Sequence, residues 1–338
     1  MKVLLTGASG FVGSHVVEPL LAGGVPTVVL LRATSNRRFL EPLLNRLTVA
    51  PGSLDQPETL GPALEGVTHV IHCAGVVKAV RAAEFYVANR DGTRNLVRAV
   101  NSRGDQIQRF VHISSLAVSG PGTAADPARE DSPPNPVSEY GRSKLAAEQE
   151  VITGCRVPFT ILRPGGVYGP RDTEFLTLFK AAAYPVIPVF GGGGQELSLV
   201  FAPDLARVVV ACLTTSATAG LRCHVASPEV VTARRLIEEI ARAYGGRARI
   251  LPLPHGLLRV VCGVAATTAR WTGRATILAH GKRHELTAPG WVADVTRLES
   301  DLGLACTTTL AEGIRQTLAW YRREGWIRPA RPGVDDHD

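Results

Sequence analysis

Residues 3–17 read VLLTGASGFVGSHVV: a short apolar run, then glycines at 7, 10 and 13, then a pattern with helical spacing. Few folds accommodate this combination so near a chain start. An apolar run of this length is a strand buried on both faces. Glycine at three-residue intervals allows a sharp turn and a close backbone approach. The helix behind the turn then points its unpaired N–H groups back across the strand end. This strand–turn–helix unit is one half of a βαβ crossover, and the rest of the first half repeats the rhythm.

KVLLTG, TVVLLR, LTVAPG, HVIHCAG, RFVHISS and FTILRPG read as strands. VGSHVVEPLLAGG, PETLGPALEG, NRDGTRNLVRAVNSRG and EYGRSKLAAEQEVI read as the helices between them. Alternation of this kind implies α/β class: a doubly wound parallel sheet of Rossmann type with helices on both faces. After about residue 168 the pattern loosens into a smaller, mostly helical substrate lobe, with TARRLIEEIARAYGG as its most amphipathic helix. The division expected is 1–168 plus about 202–228 for the nucleotide lobe, 169–201 and 229–328 for the substrate lobe, and 329–338 as a frayed tail. A chain of 338 residues is long enough for both.

Placed between strand and helix, Gly7, Gly10 and Gly13 form a phosphate-binding turn, with Ser9, Phe11 and Val12 beside them. The ligand class is a dinucleotide. The second strand ends in Arg32, followed by Ser35 and Arg37, where an Asp or Glu would meet a free ribose 2′-hydroxyl. Arg favours a 2′-phosphate, so NADP(H) is slightly preferred. The same residues read equally as a solvated basic loop, and NAD(H) stays open.

Charge and cysteine exclude other classes. The excess of 37 basic over 30 acidic residues reads as scattered Arg, and no nucleic-acid motif accompanies it. The six Cys form no CxxC pair and no zinc spacing with His, so no metal is expected and the thiols read as reduced. MKVLLTGASG is too short before its glycines for a signal peptide. The apolar stretch 255–271 is interrupted by Arg259 and Arg270, which leaves a membrane contact at most peripheral. A cytoplasmic location follows.

TGASGFVGS, HCAG (72–75), NRDGTRNL (89–96), HISS (112–115), YGRSK (140–144), LRPGGVYGPR (162–171) and PGWVADVTRLESDLG (289–303) occur in one order along nearly the whole chain. Together they resemble the extended short-chain dehydrogenases/reductases. The end segment is most similar to the 3β-hydroxysteroid dehydrogenase/dihydroflavonol reductase-like branch. The resemblance implies an NAD(P) enzyme with a Ser–Tyr–Lys set at Ser115, Tyr140 and Lys144. It places further cofactor contacts at Ala74 and Gly75, at Ile113 and Ser114, and at Arg163, Pro164, Gly165 and Val167. The family often has an Asp after the third strand. Ser53 stands there instead, so adenine contact is expected from Ser53 and Leu54. Asn89 is expected to organise the interior. The resemblance also allows a homodimer.

The chemistry of these residue types agrees. Reducing a carbonyl builds negative charge on oxygen, and a positioned acid must neutralise it. An unperturbed phenol has pKa about 10. Lys144, one helical turn from Tyr140, is expected to lower it. Strand alternation sends Ser114 and Ser115 to opposite sides, and the family register favours Ser115.

Three departures bear on the substrate. Dehydratases of the family carry an Asp-Glu pair after the serine, where this chain has Leu116-Ala117. Nucleotide-sugar enzymes commonly hold diphosphate with an Arg, where this chain has Leu197. Ser119 occupies a position that is often aromatic in sugar enzymes. The expectation is a reductase or dehydrogenase of a hydrophobic lipid-like, sterol-like or aromatic ketone or alcohol. A nucleotide-sugar 4-epimerase with tightly bound NAD is the alternative.

Overall fold

The computed structural model describes residues 1–215, 219–246, 249–254, 256 and 282–327. Its centre is a parallel sheet of seven strands. In chain order these are β1 (Val3–Thr6), β2 (Thr27–Leu31), β3 (Thr48–Pro51), β4 (His69–His72), β5 (Arg109–Ile113), β6 (Phe159–Pro164) and, after three strands of the second lobe, β10 (Leu221–Val225). Their spatial order is β10-β6-β5-β4-β1-β2-β3. β1 pairs with β2 on one side and β4 on the other. The strand order therefore reverses at β1, and the crevice beyond its carboxyl end is where such sheets take ligands.

Alternation along the strands builds two cores. Val3, Leu5, Val29, Leu31, Ile71, Val111 and Ile113 face α1 (Phe11–Ala22) and α7 (Ala202–Ala211). Leu4, Val28, Leu30, Val70 and Phe110 face the opposite layer. That layer comprises α2 (Leu60–Ala63), α4 (Gly92–Asn101) and α5 (Glu139–Gly154), which contribute Leu60, Leu96, Val97, Val100 and Val151. Each such side chain, fully buried, is worth about 1.5–3 kcal/mol. This two-sided burial is why the strands read as continuous apolar runs.

Two of the expected helices differ from their sequence patterns. PETLGPALEG yields only a 3₁₀ turn and the four residues of α2, since Gly61 and Pro62 weaken it. NRDGTRNLVRAVNSRG becomes α4 preceded by the short α3 (Ala82–Phe85) and a π-helical turn over Tyr86–Asp91. The wider turn lets Asn89 reach inward. Its Oδ1 accepts from Val76 N at 2.8 Å, and its Nδ2 donates to Val76 O and Ser143 Oγ.

The second lobe has its own core, with Tyr168, Phe179, Phe201, Ile237, Ile314 and Tyr321 among its members. β9 (Glu196–Phe201) is flanked there by β7 (Gly166–Tyr168), β11 (Val230–Thr232) and β13 (Gly290–Trp291). β8 (Val186–Phe190) and β12 (Arg249–Leu253) form a parallel ribbon. The remaining helices are α6 (Leu176–Ala182), α8 (Ala233–Ala243), α9 (Lys282–Thr287), α10 (Thr296–Ser300) and α11 (Leu310–Arg323). Most of the apolar stretch 255–271, together with Trp271, Ile277, Leu278 and the 329–338 tail, lies outside the described residues. Among the described residues, no helix is long and apolar enough to cross a membrane, and no cluster of metal-ligating side chains occurs.

Candidate active site

The turn after β1 is built for an anion. Gly7 has φ +75°, and an added Cβ would stand 2.6 Å from the Ala74 backbone nitrogen. Only glycine fits both demands. α1 begins at N-cap Gly10 with no side-chain cap and no acidic residue in its first turn. Its N–H groups and positive dipole end are left for a ligand.

A cleft of about 400 Å³ runs from this turn along the strand ends. Thr6, Gly7, Ser9 and Gly10 line its phosphate end. Leu30, Arg32 and Ser35 line the end of β2, where Arg32 N donates to Ser35 Oγ at 3.0 Å. Gly52, Ser53, Leu54 and Asp55 follow β3, and Cys73, Ala74, Gly75 and Val76 follow β4. These residues fit a dinucleotide: backbone N–H groups for a pyrophosphate, a cation at one end and apolar walls for the rings. Of the residues expected at the cofactor, Gly7, Ser9, Gly10, Arg32, Ser35, Ser53, Leu54, Ala74 and Gly75 line the cleft. Gly13 lies behind the turn, where an added Cβ would run into Gly7, and Phe11 and Val12 open α1. Arg37 is exposed outside the lining. Asp55, Val76, Val87, Ala88 and Gly92 were not anticipated, because a lone sequence does not show which loop tips converge.

The catalytic candidates come from two elements. Ser138 caps α5, its hydroxyl accepting from Gly141 N at 3.1 Å. An added Cβ on Gly141 would meet Ala117 O at 2.5 Å. The glycine after Tyr140 thus lets α5 press against the 3₁₀ turn Leu116–Val118 that follows Ser115. The Ser115 hydroxyl, which accepts from Ala117 N at 3.2 Å, acts on the Tyr140 phenol to ease its ionisation. Lys144 is buried one turn on, donating from Nζ to Ile113 O at 2.7 Å. An added Cβ on Gly75 would stand 3.9 Å from that ammonium, so Lys144 reaches the cleft wall.

The electrostatics correct one expectation. Burial pushes Tyr140 up to about 12; the Ser115 hydroxyl opposes this, and the Glu285 charge on α9 adds to it. Lowering by Lys144, whose Nζ donates to the Ile113 carbonyl, is not among these influences. Burial brings Lys144 itself down to about 8, with Glu148 opposing. The Tyr140 phenol is therefore held protonated at neutral pH, with Ser115 as the group that eases its ionisation.

Two residues expected at the cofactor turn their side chains inward. Ser114 Oγ donates to Glu148 Oε1 at 2.5 Å, beneath the sheet. Arg163 is 1% exposed, and its guanidinium is taken by Glu148 and Ser119. Both side chains point into the interior because a parallel sheet covered on both faces buries every residue of its central strands. Ile113 presents its carbonyl to Lys144. Pro164 ends β6, Gly165 N donates to Val225 O, and Val167 pairs with Val200.

A sheet reversing at a glycine turn, with a dinucleotide-shaped cleft and a Ser–Tyr–Lys set at its edge, defines a nucleotide-dependent short-chain dehydrogenase-type enzyme. The model of the NAD dependent epimerase/dehydratase family matches residues 3–224, and the chain belongs to that family. It is 29% identical over 326 residues to a ceramide reductase of Caulobacter vibrioides, covering 96% of each chain. It is 26% identical over 332 residues to a UDP-glucose 4-epimerase of Vibrio cholerae, covering 94% of each. The crystal structure of gox2253 matches with TM-score 0.80 at 26% identity, over 97% of this chain and 99% of that one.

Proposed function

We propose that this NAD(P)(H)-dependent enzyme reduces the ketone, or oxidises the alcohol, of a hydrophobic lipid-like, sterol-like or aromatic substrate. The observation that carries this reading is the turn beside the acid. Leu116 and Ala117 are only 3% and 9% exposed, where a dehydratase would need an acid and a base. Leu197 points the same way: it pairs with Val231 and Trp291 in the second-lobe sheet, at the place of a diphosphate-holding Arg. The ceramide reductase relative supports a lipid substrate.

The nicotinamide, when bound, supplies a hydride to the carbonyl carbon. Ser115 orients the carbonyl oxygen by hydrogen bonding. Tyr140 delivers its phenolic proton to that oxygen as negative charge builds there. Lys144 places a cation against the cleft wall at Gly75, where a bound cofactor would meet it. Arg32 and Ser35 favour NADP(H), since neither repels a 2′-phosphate and both can donate to one.

The test is a panel of lipid, sterol and aromatic ketones with NADH and NADPH, followed at the nicotinamide absorbance band. Oxidation of the reduced cofactor by one of them is the expected result. Turnover of a UDP-sugar without net cofactor oxidation, and with no ketone active, would assign the chain to the epimerases instead.

A further inference from the structure

Glu148 stands one turn beyond Lys144 on the same face of α5 and is wholly buried. Three donors converge on its carboxylate. Ser114 Oγ reaches Oε1 at 2.5 Å, Arg163 Nε reaches Oε1 at 2.9 Å, and Arg163 Nη2 reaches Oε2 at 2.6 Å. Arg163 Nη1 then donates to Ser119 Oγ at 3.1 Å, and Ser119 Oγ meets His224 Nε2 at 2.7 Å.

Two features suggest more than packing. The first is position. Ser114 precedes Ser115, and alternation points their side chains apart. Anchoring Ser114 under the sheet fixes the direction in which Ser115 projects. The second is charge. The titratable groups that act with Lys144 are His72 on β4, Cys73 just after it, His112 on β5 and Glu148 on its own helix. Burial holds His72 down to about 3 and His112 well below its ordinary value, and pushes Cys73 up to about 12. All three are neutral at ordinary pH, which leaves Glu148 as the negative charge of this set. A buried ion pair is a weak way to gain stability, because apolar residues of the same volume do as well.

We propose that Glu148 is a positioning residue for the Ser115–Tyr140–Lys144 site, fixing the end of β5 through Ser114 and holding the Lys144 ammonium charged. This rests on the hydride-transfer reading, but its charge component can be measured on cofactor binding alone.

The experiment compares wild type, Glu148→Gln and Glu148→Asp by two pH titrations. One follows NADPH affinity through nicotinamide fluorescence; the other follows kcat. Loss of the Glu148 charge should move the alkaline limb assigned to Lys144 toward acid by roughly one pH unit or more. Glu148→Asp, which keeps the charge, should return it toward the wild-type position. Because Gln leaves Arg163 without its counter-charge, the double variant Glu148→Gln/Arg163→Gln is made as well. It should fold and retain the displaced limb. A wild-type limb in either folded variant overturns the proposal. So does a double variant that cannot fold, since the pair would then serve stability alone. If wild type reduces no carbonyl at all, the hydride-transfer reading fails, while the fluorescence limb still decides the role of Glu148.

Discussion

The Ser115 hydroxyl eases ionisation of the Tyr140 phenol, while Ser114, one residue earlier, is bonded to Glu148 on the other side of the strand. Two adjacent hydroxyls therefore have separate tasks, assigned by the pleat of β5. Tyr140→Phe removes the acid and leaves the ring against Phe85, 6.2 Å away. Turnover should fall by about 10²–10⁴-fold, with cofactor affinity retained. Ser115→Ala should lower kcat in the same direction. Steady-state kinetics beside a fluorescence titration of NADPH separates these outcomes from a loss of binding.

The proposed preference for NADP(H) rests on Arg32 and Ser35. Arg32→Asp should weaken NADPH by about ten- to a hundred-fold, the equivalent of a charge-assisted hydrogen bond of about 1.5–3 kcal/mol, and should improve NADH. The ratio of kcat/KM for the two cofactors checks this. An unchanged ratio would mean that the basic residues after β2 are only a solvated loop.

Glu148 and Arg163 are only 0% and 1% exposed. Glu148→Ala leaves a guanidinium charge inside the protein and should cost about 3–5 kcal/mol. Replacing both residues by Met should cost far less than the single change. Urea denaturation of the three proteins gives the comparison directly.

Acid should unfold the protein through its interior histidines. Burial, first among the causes, lowers His15 and His224 to about 4 and His72 to about 3. Below about pH 6.5 the unfolded chain takes up protons that these folded-state rings refuse. Stability is thus full above that pH and is lost as pH falls toward 4. Each ring contributes at most about 1.4 kcal/mol per pH unit. Lys144, lowered to about 8, acts in a separate window: stability rises with pH between about 8 and 10.5. Chemical denaturation at pH 7.5, 6 and 5 tests the acid arm.

The sheet was legible because both faces of its strands are buried, so Val3–Leu5 and Val28–Leu31 read as unbroken apolar runs. The glycine turn was legible because Gly7 meets a backbone demand that only glycine satisfies. Alternation showed that Ser114 and Ser115 face opposite sides, and the family register chose Ser115 between them. What stayed hidden depends on contacts distant in sequence. Nothing local shows that Arg163 turns inward to a helix 15 residues away, although Glu148 four residues after Lys144 was a usable hint. Nor does any local signal place Glu285 near Tyr140 across the two lobes. The Ile113 carbonyl as partner of the Lys144 ammonium was not legible either, because i,i+4 spacing fixes a shared face and not the partner.

β10 lies at the edge of the seven-stranded sheet beside β6, yet it is drawn from residues 221–225, after much of the second lobe. During synthesis, β6 is therefore finished some 60 residues before the strand that covers its open side. Until then it presents unpaired N–H and C=O groups, a template for wrong partners. The nascent first lobe is thus exposed to misassembly over that interval. A fragment ending near residue 168 should be aggregation-prone even though it holds the glycine turn and all three catalytic candidates.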